Sequence, residues 1–135
     1  MTEAERLRSR IPPPDEDDWV RQMQAIRLFY GLINNTDYKN VSNLVIDRDF
    51  RISTIDLSRA FGVKKELVWG DRLGQVSRPV LERLEALDRD SLEQRLGPWL
   101  TRLQIKTLLK RRDLVIERID SLIELRGEDA VILEP

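Results

Sequence analysis

At 135 residues the chain is long enough for one ordinary domain with a core. Apolar residues make up 41% and charged residues 35%, too apolar for a disordered chain. Lys and Arg total 23 against 24 Asp and Glu, a net charge of −1, so no global basic field draws the chain to nucleic acid or anionic lipid. With no cysteine and no histidine, disulfides, thiol nucleophiles, Cys/His zinc sites and histidine triads are excluded. Carboxylates, amides, hydroxyls and lysines are left for chemistry.

Residues 1–14 alternate charges and end in Ile11-Pro12-Pro13-Pro14, which cannot continue a helix. They are expected to form a flexible, extended arm leading into a single domain over 15–135. No 18-residue apolar run occurs, and the first residues lack an apolar core. Neither a membrane span nor a signal peptide is expected, which makes the cytoplasm the default compartment.

Asp15-Glu16-Asp17-Asp18 places negative charge where a helix begins, and Trp19, Met23, Ile26, Phe29 or Tyr30, and Ile33 recur at helical spacing. This predicts a buried amphipathic helix over 16–33, ended by the turn-forming Asn34-Asn35-Thr36-Asp37. Two β-type runs follow, 43–47 and 50–56, separated by Asp47-Arg48-Asp49 in the manner of a hairpin. From Leu57 to Ser77 the pattern is ambiguous, punctuated by Gly62, Gly70 and Gly74. Short helices are predicted over 79–87 and 91–96, the second capped by Asp90 or Ser91. A long helix starts at the capping box Thr101-Arg102-Leu103-Gln104, with an apolar stripe through Ile105, Leu108, Leu109, Ile116, Ile119, Leu122 and Ile123, and stops at Gly127. The fold class is α+β, mainly helical, with one short hairpin.

The stretch from Phe29 to Phe61 carries the chemistry. A polar turn with one acid, Asp37, precedes the hairpin; an amide, Asn43, opens its first strand; a second acid, Asp56, follows its second strand. A hairpin returns the chain to its starting level, so the three should lie near one another. One carboxylate to orient a hydroxyl, plus oxygen ligands for Mg²⁺, is the set that phosphoryl transfer requires.

The run from Asn35 to Asp47, followed by Ile55-Asp56-Leu57-Ser58-Arg59-Ala60-Phe61, resembles the catalytic loop and metal-binding segment of atypical protein-kinase-like enzymes, the branch of phosphoinositide kinases and HipA-like kinases. The stretch Ile105 to Asp113 is similar to a late helix of bacterial members of that group. The resemblance implies a kinase C-lobe-like domain in which Asp37 is the catalytic-loop acid, Asn43 and Asp56 hold Mg²⁺, and Lys39 contacts phosphate. It implies ATP and Mg²⁺ as cofactors if the chain is active. The Asp37-to-Asn43 spacing is one residue longer than D-x-x-x-x-N, so either the loop bulges or Ser42 takes the asparagine's place. About 36 residues precede Asp37, and no glycine-rich phosphate loop or lysine–glutamate pair is recognisable. The expectation is therefore a C-terminal lobe alone, inactive without an N-terminal lobe from a partner chain, or a homo-oligomer.

Other readings use the same residues. Thr54 to Trp69 is similar to a helix-turn-helix, with Ala60 packed, Gly62 at the turn, and Lys64, Lys65, Arg72 and Arg78 placed for phosphates; this makes a DNA-binding regulator over 54–72 the alternative. A non-catalytic protein-interaction domain is the other. Asp37 also suits a simple turn, Asp56 a helix N-cap for 57–61, and Lys39 a solvated loop. Lys110-Arg111-Arg112, followed by Asp113, Glu117, Asp120 and Glu124, reads as a solvated face with i,i+4 pairing. Trp19, Trp69 and Trp99 read as core or interface anchors.

Overall fold

The expected extended arm begins instead with a helix. In the computed structural model, which describes all residues from Met1 to Pro135, Glu3–Ser9 forms α1. Its cause is local. Thr2 and Glu5 form a reciprocal capping box that satisfies two orphan amides, and Glu3 and Glu5 sit at the positive end of the helix dipole. The helix is also held in place. The Met1 ammonium donates to the Ile46 carbonyl at 3.0 Å, and the Ile46 amide donates to the Met1 carbonyl at 2.7 Å. Arg6 pairs with the buried Glu3 at 2.7 Å and lies over the Trp19 ring at 4.7 Å.

Helix α2 (Glu16–Ile33) has the predicted bounds. The Asp15 carboxylate caps it by accepting from the Asp18 amide, and Asn34 ends it in the left-handed conformation. Its buried face runs through Gln24, Ile26, Leu28, Tyr30 and Ile33, so Tyr30 turns inward and Phe29 outward. Strands β1 (Leu44–Ile46) and β2 (Ile52–Thr54) form the expected antiparallel hairpin, with Leu44 opposite Thr54 and Ile46 opposite Ile52. The Asp47 carboxylate shapes the turn by accepting from the amides of Asp49 and Arg51.

No α-helix forms between Thr54 and Arg78, so neither helix of the helix-turn-helix over 54–72 is present. Asp56, Phe61 and Trp69 all adopt left-handed backbone, which a right-handed helix cannot contain. The segment's hydrogen bonds also go elsewhere: the Phe61 amide donates to the Ile33 carbonyl and the Thr36 amide to the Arg59 carbonyl.

After a single 3-10 turn (Gly70–Arg72) come β3 (Val76–Ser77), α3 (Arg78–Ala86) and α4 (Arg89–Leu96). Asp88, not Asp90 or Ser91, caps α4 through the Ser91 amide at 2.7 Å. The long helix is α5 (Arg102–Arg126), with the Thr101–Gln104 capping box at its start and Gly127 at φ +86° after its end. A short α6 (Glu128–Val131) then leads into β4 (Ile132–Leu133), which pairs in parallel with β3. The main core gathers Leu28, Leu84, Val115, Ile119, Leu122 and Val131 from four helices. No helix is long and apolar enough to cross a membrane.

Two basic residues of α5 depart from the solvated-face expectation. Arg111 is fully buried: its Nε donates to the Leu32 carbonyl and its Nη1 to the carbonyls of Gly62 and Lys64, each at 2.9 Å. Arg112 donates to the carbonyls of Leu84 and Leu87, and its one ion pair is with the adjacent Asp113. The ends of α2 and α3 and the 57–75 segment bring backbone carbonyls to this helix, and a guanidinium carries enough donors to bond several at once. Trp99, 77% exposed, is not a core residue, whereas Trp19 and Trp69 are half-buried.

Candidate functional site

The left-handed Asn34 turns the chain sharply out of α2, and Asn35 beneath it is completely buried. The Asn35 Oδ1 accepts the Asp37 amide at 3.2 Å, which fixes the backbone that carries the acid. Asn40 then organises the rest of the loop. Its Oδ1 accepts the Ser42 amide at 3.2 Å, capping a 3-10 turn over Val41–Asn43.

That turn absorbs the extra residue. Asn43, 8% exposed, directs its Nδ2 to Asp37 Oδ2 at 3.0 Å, while Asn40 Nδ2 reaches the same oxygen at 3.4 Å. Ser42 stays exposed and makes no side-chain bond to the acid. Asn43, not Ser42, is thus the residue bonded to the acid.

The Asn43 backbone carbonyl accepts the Ile55 amide at 2.9 Å, so the second acid, Asp56, follows directly from a residue bonded to Asn43. Asp56 is exposed and left-handed, and it caps no helix. Its Oδ1 accepts the Ser58 hydroxyl at 2.7 Å and the Ser58 amide at 3.4 Å; these bonds, the hydroxyl first, hold its carboxyl below the usual range. Lys39 is exposed, and its ammonium lies 5.7 Å from the Tyr38 ring centroid, with no bond to Asp37. The loop thus joins Asp37 and Asn43 directly and leaves Lys39 unbonded to them, while Asp56, one residue past the Ile55–Asn43 backbone bond, has Ser58 as its side-chain partner.

An aromatic stack supports the loop from below. Tyr30 lies against Trp69 at 5.8 Å between centroids, and Trp69 meets Tyr38 edge-on at 5.2 Å. Burial first, and the Asp37 charge second, push the Tyr30 phenol above its ordinary pKa. Beside this stack opens a cleft of about 420 Å³, bordered by Thr36, Tyr38, Lys64, Glu66 and Trp69.

The donor set can be tested against Mg²⁺. Asn43 spends its Nδ2 on Asp37, which leaves its Oδ1 as an acceptor, and Asp56 retains Oδ2 free of protein bonds. No group of three or more acidic side chains could form an all-protein cage. Mg²⁺ bound through phosphates takes one or two carboxylates and leaves its other positions to phosphate oxygens and water, so one carboxylate and one amide oxygen fit it.

Sequence reasoning missed Asn35, Trp69 and Arg111 as supports of this loop. Asn35 and Trp69 carried no signal beyond a turn motif and an isolated aromatic, and Arg111 was indistinguishable from its basic neighbours. No protein-family model and no curated protein matches the sequence.

Proposed function

We propose that the chain is a kinase-like C-terminal lobe of a phosphotransferase that moves the ATP γ-phosphoryl group to a hydroxyl, acting with a lobe that supplies further nucleotide contacts. The observation that carries this reading is the Asp37–Asn43 hydrogen bond, with Asp56 one residue past the backbone bond that ties Ile55 to Asn43, three residues with complementary roles in such chemistry. Asp37, held by two amide donors, orients the acceptor hydroxyl and accepts its proton as the new P–O bond forms. The Asn43 Oδ1 and the Asp56 carboxylate would hold Mg²⁺, which when bound neutralises charge on the phosphates. The low carboxyl pKa of Asp56 keeps it ionised, as a cation ligand must be. The Asn35 bond to the Asp37 backbone and the buried Asn43 fix the geometry in advance, and positioning supplies most of this chemistry.

The test is a thermal-shift titration with Mg²⁺ and ATP on the wild type and on Asp56→Ala. At a nucleotide concentration about 100 times Kd the expected stabilisation is about 2.7 kcal/mol. Asp56 is exposed and its side chain bonds only to the neighbouring Ser58, and circular dichroism checks that the variant is folded. A shift seen in the wild type and lost in Asp56→Ala supports the reading. A shift that survives Asp56→Ala, or none in either protein, overturns it.

A further inference from the structure

An apolar groove runs between α2 and α3, on a face that the proposed site does not use. Ala25, Leu28, Phe29 and Leu32 form one wall and Val80 and Leu84 the other, around a volume of about 290 Å³. Phe29 is 39% exposed there, although it stands in the middle of a long helix. The groove continues past Ala25, Leu28 and Val80 into a smaller recess beside Arg21. Its charged borders are cationic: Arg21 at one end and Arg83 near the other.

The chain carries the complement of this groove on the same helix. Asp18, Arg21, Ala25, Phe29 and Leu32 recur at three- and four-residue spacing, so they form one stripe of α2. That stripe is acidic at its start and apolar from Ala25 onward. Two copies of α2 laid antiparallel about Ala25 would set Asp18 of each over the Leu32 end of the other, where Arg83 stands. Arg21 of each would face the Phe29 ring of the other, an arrangement that favours cation–π contact. Arg21, Arg83 and Asp18 take no part in the chain's four ion pairs, and Asp18, whose Oδ2 accepts from Gln22, keeps Oδ1 for a partner. The stripe from Asp18 to Leu32 is about 21 Å long at 1.5 Å per residue.

We infer that this groove binds a second copy of the chain, forming a two-fold dimer in which α2 of each protomer lies along the α2–α3 groove of the other. A pairing of this kind is self-complementary and closed, so it stops at two.

Sedimentation velocity over a concentration series tests it, using the wild type, Ala25→Glu, Arg83→Glu, Asp18→Arg, and the double variant Asp18→Arg with Arg83→Glu. All three positions are exposed in the single chain, and circular dichroism checks that each variant is folded. The wild type is expected to sediment as a dimer at the upper concentrations, and Ala25→Glu as a monomer. Each single charge reversal should raise Kd about tenfold or more, the effect of one close interfacial charge pair. The double reversal should restore much of the affinity, because each Arg would again meet a Glu across the two-fold axis. A wild-type monomer throughout, a dimer indifferent to Ala25→Glu, or a double variant no tighter than the single reversals would each overturn the inference.

Discussion

Asn43 stands six residues after Asp37, yet its amide reaches the Asp37 carboxylate at 3.0 Å because a 3-10 turn takes up the slack between them. Asn43 is nearly buried, so the bond is shielded from water and serves as a structural tie as well as a feature of the proposed site.

Asn43→Ala should lower stability by about 1–2 kcal/mol, the worth of a shielded bond to a charged acceptor, and should abolish any Mg²⁺-dependent nucleotide shift. Asn43→Asp should behave differently. Two carboxylates at hydrogen-bond distance share a proton, which raises the folded-state pKa of one of them. Stability gained from that shared proton is present at low pH and lost as pH rises through the raised pKa. Chemical denaturation of both variants across acid and neutral pH distinguishes the cases: Asn43→Asp should weaken on going to neutral pH relative to wild type, and Asn43→Ala should not.

Arg111 joins the C-terminal end of α2 to the loop after Asp56 through three carbonyls. Burial lowers its pKa, as expected for a cation that no carboxylate faces. Arg111→Met keeps much of the apolar volume but leaves the carbonyls of Leu32, Gly62 and Lys64 without these donors. At about 1–3 kcal/mol for a buried unpaired group, the loss should be about 3 kcal/mol or more, and the midpoint of urea denaturation should fall accordingly. Arg112→Met, which also loses two carbonyl bonds but sits partly in solvent, should cost less.

The contrast between those two arginines explains what could be read from the sequence. Helices α2 and α5 were legible because each has a 3.6-residue apolar pattern and side chains that cap its start. The hairpin was legible from two β-rich runs around Asp47. Helix α1 was not, because the triple proline after it suggested an extended arm while its real determinant is one capping pair, Thr2 and Glu5. The parallel pairing of β3 with β4 involves two residues on each side, too few for any alternation to register. In the site, the order Asp37, Asn43, Asp56 was visible, and so was the hairpin that separates Asn43 from Asp56. The inward turn of Arg111 was not, since the three carbonyls that draw it in lie 47, 49 and 79 residues away in sequence.

Gly62 is where the loop comes closest to the end of α2. A Cβ at this position would lie 2.3 Å from Asn34 Oδ1, on a side chain that is 1% exposed and cannot swing into solvent. Gly62→Ala should therefore destabilise by about 1–3 kcal/mol, in the range of other overpacked sites. It should also loosen the Phe61–Ile33 backbone bond, read as faster hydrogen exchange at the Phe61 amide. Gly74→Ala is the control, because its Cβ would meet only ordinary contacts at 3.8 Å and beyond.

The last turn of chain is fastened by charge. Arg78, at the start of α3, pairs with Glu134 beyond β4 and with Glu128 at the start of α6. The Arg78 bonds hold the Glu134 carboxyl below its ordinary pKa, while the two glutamates push the Arg78 guanidinium up, so Glu134 rather than Arg78 changes charge as the solution is acidified. For a depressed carboxyl the sign is fixed. Its contribution is fully present above the unfolded pKa and disappears as pH falls through the lower, folded one. Carbon-detected NMR titration should place Glu134 below a free glutamate in the wild type and return it to the ordinary range in Arg78→Gln. Hydrogen exchange at Ile132 and Leu133, the residues of β4, should quicken in Arg78→Gln at neutral pH. In the wild type it should quicken only once acid has protonated Glu134. The pair is exposed and salt screens it, so the difference between the two proteins should shrink at high ionic strength. A difference that persisted in high salt would locate the effect in the packing of the Arg78 stem rather than in its charge.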